Sequence, residues 1–237
     1  MKTGVARSAR WQSHRVRALF GACRNAKPHL ADEVMFDSRL RHYDDLFSAL
    51  ALTPLDERRL LDAGCANGKW LEICCRRWGA RQIHCFGNDK RGQPWRDWRQ
   101  ANQGTEITFI FKPTHELDFT PQSFDVVHQS MMLSSIVDPE TRTRTAEVLW
   151  SLLRPNGILI SYDFWLNPFN PTTVGIYGAE LQRLFPYGRK VYARSLTLAP
   201  PLGRKLTILR KPVLLALEKL RFMNSHLLVA LERPQEH

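Results

Sequence analysis

The stretch Leu61-Asp62-Ala63-Gly64-Cys65-Ala66-Asn67-Gly68 joins a short apolar run, residues 59–63, to a segment of helical period at residues 70–78. A strand that enters a turn of small residues and leaves as a helix opens a βαβ unit. The small residues at 64, 66 and 68 let a ligand approach the backbone closely. The first turn of the following helix offers it amide N–H groups. A dinucleotide turn needs Gly-x-Gly-x-x-Gly; here the middle position is Ala66 and the last falls on Lys69, so the fit to NAD is poor. Asp62 ends the strand, where a carboxylate repels a pyrophosphate and suits a cationic ligand, such as a sulfonium with an α-ammonium.

Outward from this turn, strand-like and helical segments alternate. Residues 36–50 have an amphipathic helical pattern closed by Thr53-Pro54, and residues 82–87 read as a strand followed by a helix at 94–101. Residues 108–111 and 124–128 read as strands, and 141–153 as a helix stopped by Arg154-Pro155-Asn156-Gly157. A strand at 158–162 follows. Two late strands, 191–198 and 225–231, enclose an apolar, basic helix at 202–222 interrupted at Pro212, a hairpin-like pair with an insertion. The pattern predicts a mostly parallel sheet whose ligand lies beyond the carboxyl ends of the strands. At the end of the second strand stands Asp89, whose two oxygens suit the paired hydroxyls of a ribose.

Together these pieces resemble class I S-adenosylmethionine-dependent methyltransferases of the bacterial type 11-like group, in which Asp-x-Gly-x-Gly-x-Gly opens the domain. Ser123-Phe124-Asp125-Val126-Val127 is similar to the fourth-strand motif, and Leu152-Leu153-Arg154-Pro155-Asn156-Gly157-Ile158 to the turn and strand after it. Gln129-Ser130, Tyr162-Asp163-Phe164, Leu196-Thr197-Leu198-Ala199-Pro200-Pro201-Leu202 and Ser225-His226 extend the resemblance over residues 50–234. It implies an α/β, Rossmann-like fold with a seven-stranded, mostly parallel sheet and helices on both faces. S-adenosylmethionine is the implied cofactor, lying over Asp62, Gly64, Ala66 and Gly68 with Asp89 on its ribose. Where many relatives place Gly-Asp after the third strand to bind adenine, this chain has Lys112-Pro113, which leaves that contact to Thr114 or a backbone group.

Methyl transfer is an in-line displacement, so alignment supplies much of the catalysis. A base is needed only when the acceptor must lose a proton. Asp163, after the fifth strand, is the first candidate for that base or for gripping a sugar hydroxyl. Gln129 is placed to orient an acceptor or to contact the methionine end of the cofactor, and His226 to face the cleft. Their bland counterparts are a helix- or turn-capping aspartate for Asp163, a strand-cap hydrogen bond for Gln129 and a core histidine for His226. His128 and His115 rank below them. Asn167-Pro168-Phe169-Asn170 differs from the Asn-Pro-Pro-Tyr signature of amino-group methylation in position, following the fifth strand rather than the fourth, and reads as a turn.

The 237 residues carry a net charge of +11, which alone suggests a nucleic-acid or anionic-surface binder. Divided along the chain, residues 1–30 hold seven basic residues and no acid, residues 31–182 sum to −4, and residues 183–222 sum to +9. The expected organisation is a basic arm at 1–31 and one domain at 32–237 with the basic insertion at 202–222. A nucleic-acid partner is thereby disfavoured. The expected acceptor is a small molecule or a glycan, including a lipid-linked precursor, and the insertion offers peripheral contact with an anionic membrane. The more economical reading of the insertion is a packed helix with a solvated basic face. An RNA-directed enzyme and a non-catalytic S-adenosylmethionine-binding relative are the alternatives. Five cysteines without Cys-x-x-Cys or His/Cys ligand spacing predict a reduced, cytoplasmic chain with no bound metal. No window approaches 18 uninterrupted apolar residues, so no spanning helix is expected.

Overall fold

The computed structural model describes residues 30–101, 103–165, 172–199 and 211–235. The basic arm through residue 29, Asn167-Pro168-Phe169-Asn170 and residues 202–210 of the insertion lie outside the described residues. Seven strands form one sheet: β1 (Leu60–Ala63), β2 (Cys85–Asn88), β3 (Thr108–Ile110), β4 (Phe124–Ser130), β5 (Leu153–Phe164), β6 (Arg189–Leu198) and β7 (Asn224–Glu232). Their order is β3-β2-β1-β4-β5-β7-β6, with β7 antiparallel to both neighbours and the other pairs parallel. The order reverses between β1 and β4, so the crevice beyond their carboxyl ends is where a ligand fits.

The helices are α1 (Leu30–Ala49), α2 (Lys69–Trp78), α3 (Gln93–Ala101), α4 (Pro139–Leu152), α5 (Gly178–Leu184) and α6 (Lys211–Glu218). Alternate residues of the central strands feed two core layers, as the period-2 geometry of a strand requires. Leu60, Val126 and Ile160 pack with Phe47, Trp78 and Trp95 on one face. Leu61, Val127 and Leu159 pack with Leu149, Leu181 and Phe185 on the other. α2 presents Leu71, Cys74 and Trp78 inward and ends where Gly79, at φ 76°, donates its N–H to the Cys74 carbonyl.

Several boundaries differ from the sequence expectation, each for a local reason. α1 begins at Leu30, before the amphipathic pattern is evident. α4 begins at Pro139 because Asp138 caps it, accepting the Thr141 N–H at 2.7 Å. Residues 82–84 form a 3₁₀ turn, and β2 starts only at Cys85. The Arg154-Pro155-Asn156-Gly157 segment is not a connection between elements: β5 already pairs with β4 at Leu153, and these residues bulge away from β4 until that pairing resumes at Ile158, while Asn156 and Gly157 bond the Arg233 backbone. α5 is an additional short helix. Between the paired strands β6 and β7, α6 packs on α1 and β6, with Pro212 as its second residue. Among the described residues, no helix is long and apolar enough to cross a membrane.

Candidate active site

The turn after β1 reverses its backbone at alternate residues: Gly64, Ala66 and Gly68 have φ of 73°, 50° and 74°. A Cβ on Gly64 would lie 2.7 Å from Met132 Cγ, and one on Gly68 2.6 Å from the Trp95 ring, so both positions require glycine. Ala66 holds the left-handed conformation with a methyl group, at a cost of about 1 kcal/mol. The turn is tied to the end of β2 twice. The Cys65 N–H donates to the Asn88 carbonyl at 2.9 Å, and the Ala66 N–H donates to Asp89 Oδ2 at 3.1 Å. Asp89 Oδ1 accepts the Arg91 N–H at 2.8 Å, with the Arg91 guanidinium beside it. Asn88 Nδ2 reaches the Lys112 carbonyl at 3.1 Å and Thr114 Oγ1 at 3.0 Å, which brings the end of β3 against the same crevice.

Two cavities flank this turn and share Gly64, Ala66 and Ser130. The larger, about 630 Å³, is lined by Asp89, Thr114, His115, Met131 and Met132 among others. The smaller, about 190 Å³, is walled by Phe36, Arg39, Tyr43, Asp62, Lys69 and Trp70. At its floor Asp62 and His128, register partners across β1 and β4, meet at 2.7 Å between Oδ1 and Nδ1. His128 Nε2 lies 2.7 Å from the Tyr43 hydroxyl, and the Trp70 ring stacks on the imidazole at 3.8 Å. Burial pushes the Asp62 carboxyl up, an effect that the His128 contact opposes. Burial likewise raises the Tyr43 phenol well above its ordinary value.

Gln129 and Asp163 lie beneath the cavities and do not line them. Gln129 Oε1 accepts the N–H groups of Met132 and Leu133 at 3.1 and 3.2 Å, while Nε2 donates to Ser161 Oγ at 2.6 Å and Asp163 Oδ2 at 3.2 Å. Asp163 also accepts the N–H groups of Ser134 at 3.1 Å and Phe164 at 2.9 Å. Burial raises its carboxyl to about 6 against the pull of those hydrogen bonds. The pair thus clamps the segment after β4 whose Met131 and Met132 side chains wall the larger cavity. His226 is sandwiched by Tyr162 at 4.8 Å and Phe164 at 4.1 Å and bonds Ser225 Oγ at 3.0 Å. Burial lowers it to about 3.

A family model described as a methyltransferase domain matches residues 35–197. This chain belongs to that methyltransferase family. Its fold and family make it a class I enzyme with S-adenosylmethionine as cofactor. Among solved structures, this methyltransferase is similar to an S-adenosylmethionine-dependent methyltransferase from Archaeoglobus fulgidus, with 16% identity, 83% of this chain and 92% of that one covered, and a TM-score of 0.58. It is also similar to the 1,6-didemethyltoxoflavin-N1-methyltransferase of Burkholderia thailandensis, with 18% identity, 89% and 92% coverage, and a TM-score of 0.54. The [4+2]-cyclase SpnF shares the fold at 14% identity, 83% and 81% coverage, and a TM-score of 0.60. No curated protein matches the chain.

The residues of this methyltransferase fit the cofactor on their own chemistry. Asp62 and Asp89, both nearly buried, put negative charge beneath and beside the turn, where a sulfonium and an α-ammonium are favoured. Among the described residues, the buried donor Trp70 Nε1, on the wall of the smaller cavity, and the buried acceptor Asn88 Oδ1, behind Thr114, have no hydrogen-bond partner. Arg39, Tyr43 and Trp70 carry no functional signal in the linear sequence, and His128 only a weak one. Only the register of β1 with β4 and the placement of α1 bring these residues together. Tyr43 and Trp70 read as ordinary core aromatics in a linear sequence.

Proposed function

We propose that this methyltransferase moves a methyl group from S-adenosylmethionine to a hydroxyl or amine of a small-molecule acceptor, with glycans and lipid-linked sugar precursors as the acceptor class. The observation that carries the reading is the left-handed turn at Gly64, Ala66 and Gly68, set between two cavities and pinned by the Asp89 carboxylate. S-adenosylmethionine supplies an electrophilic methyl on a sulfonium when bound. Asp89 takes the ribose hydroxyls, and Thr114 with the backbone at Pro113 borders the adenine. Asp62, Arg39 and Lys69 face the amino-acid end from the smaller cavity.

Gln129 and Asp163 act by holding the Met131–Ser135 region in place, because their polar atoms are already engaged within the fold. His226 is too weak a base, at about 3, to remove a proton from an alcohol or amine. Where the acceptor must lose a proton, the chain from Tyr43 through His128 to Asp62 is the set of groups best placed to receive it. Most of the rate enhancement then comes from alignment in the two-cavity crevice. The reading is tested by calorimetry with S-adenosylmethionine and S-adenosylhomocysteine, followed by transfer of labelled methyl to a panel of hydroxylated and aminated glycans. Folded protein that binds neither compound contradicts it.

A further inference from the structure

The chain leaves β6 at Leu198 and re-enters the sheet at Asn224, and these two residues are register partners. Phe164, the last residue of β5, pairs with His226 in the same strand. The β6–β7 connection therefore emerges at the carboxyl end of the parallel strands, where both cavities open. Of that connection, α6 buries Leu214 against Val34, Met35 and Leu198. The turn after it exposes Leu220 by 48% and Phe222 by 78%, with exposed Lys219 and Arg221 interleaved. Lys219, Arg221 and the neighbouring Arg194 form no salt bridge among the described residues.

Beside this turn lies a cleft of about 620 Å³ lined by Arg41, His42, Arg194, Lys219 and Arg221, together with Asp45 and Glu218. Glu218 is buried and turned inward, bonding Ser38 and the Thr197 N–H. Among the described residues His42 Nδ1 makes no hydrogen bond, although Asp45 Oδ2 is 3.9 Å away. A cationic cleft adjoins two exposed apolar side chains, all at the substrate end of the sheet.

We propose that this face docks onto an anionic lipid bilayer, with Phe222 and Leu220 entering the acyl boundary and the cations of the cleft receiving headgroup phosphates. Interfacial binding of this kind draws on buried apolar area and on attraction between basic residues and anionic lipid. A polyanion such as RNA would use the cations and leave Leu220 in water. Docked this way, the protein turns its donor crevice towards the membrane, where an acceptor with a lipid anchor is presented. The docking rests on the surface itself, and cofactor binding is measured separately, so either reading can fail alone.

The test is co-sedimentation of the full-length protein with vesicles of equal parts phosphatidylglycerol and phosphatidylcholine, beside vesicles of phosphatidylcholine alone. Binding to the mixed vesicles only, weakening as salt rises, is the expected result. Paired Leu220→Ser and Phe222→Ser substitutions, and separately paired Lys219→Glu and Arg221→Glu substitutions, each lower vesicle binding by at least about tenfold. Both pairs leave S-adenosylmethionine affinity and melting temperature unchanged, because the side chains are exposed. No binding to the mixed vesicles, equal binding to phosphatidylcholine, or undiminished binding by either pair overturns the proposal. So does a preference for RNA over vesicles, or a dimer that Phe222→Ser dissociates.

Discussion

Gln129 Nε2 lies 3.2 Å from Asp163 Oδ2, and the two side chains together take up the N–H groups of Met132, Leu133 and Ser134. Two residues within the carboxyl ends of the adjacent parallel strands β4 and β5 thus form a brace under the crevice. Burial raises Asp163 to about 6, above the value near 3.9 of an unfolded aspartate. Between those values the folded chain holds a proton that the unfolded chain has lost. Stability therefore falls as pH rises from about 4 to about 6, by roughly 2–3 kcal/mol from this one group. Asp163→Asn removes that slope. Denaturant unfolding of both proteins across this range measures it, and parallel pH profiles contradict the assignment.

The Asp62–His128–Tyr43 chain gives a second expectation. Tyr43→Phe leaves His128 Nε2 buried without its 2.7 Å partner, which costs about 1–3 kcal/mol. In a domain of this size each kcal/mol lowers the melting temperature by about 2–4 °C. Calorimetric scanning reads the change, and an unaltered melting temperature means that water replaces the phenol at no cost. If the chain also carries a proton, the variant slows transfer to an alcohol acceptor more than it weakens cofactor binding.

Ala66 and Gly64 respond in opposite directions. Ala66→Gly relieves a methyl group held at φ 50° and leaves stability equal to, or up to about 1 kcal/mol above, the parent. Gly64→Ala places a Cβ 2.7 Å from Met132 Cγ at φ 73°, costs about 1–3 kcal/mol, and displaces the crevice wall. Thermal unfolding and cofactor titration of the two variants separate them. A Gly64→Ala protein with parental affinity shows that the turn does not cradle the ligand.

Much of the fold was legible because its central strands are near-continuous apolar runs bounded by Gly, Pro or Asp. The turn at Gly64 to Gly68 announced the β1–α2 unit, and Asp89 fell at the end of β2 as the spacing required. The bulge at Arg154 to Gly157 was not legible, since Pro and Gly mark a turn equally well inside a strand and between elements. Within the site, the sequence placed Asp163 and Gln129 just beyond strands that in fact run through them, and position along a strand carries no information about which way a side chain turns. Both turn inward to meet free N–H groups. The Asp62–His128 contact depends on the register of two strands over 60 residues apart, and Tyr43 on how α1 crosses them.

The most direct test of the central claim is titration calorimetry of S-adenosylmethionine into the parent protein, Asp89→Ala and Asp89→Asn. Asp89→Asn keeps an acceptor for the Ala66 N–H while removing the second carboxylate oxygen from the ribose. The parent binds saturably, and both variants, still folded, lose at least about tenfold in affinity, equivalent to about 1.4 kcal/mol. A folded parent that does not bind, or an Asp89→Ala protein with the parent's affinity, contradicts the placement of the cofactor across this turn.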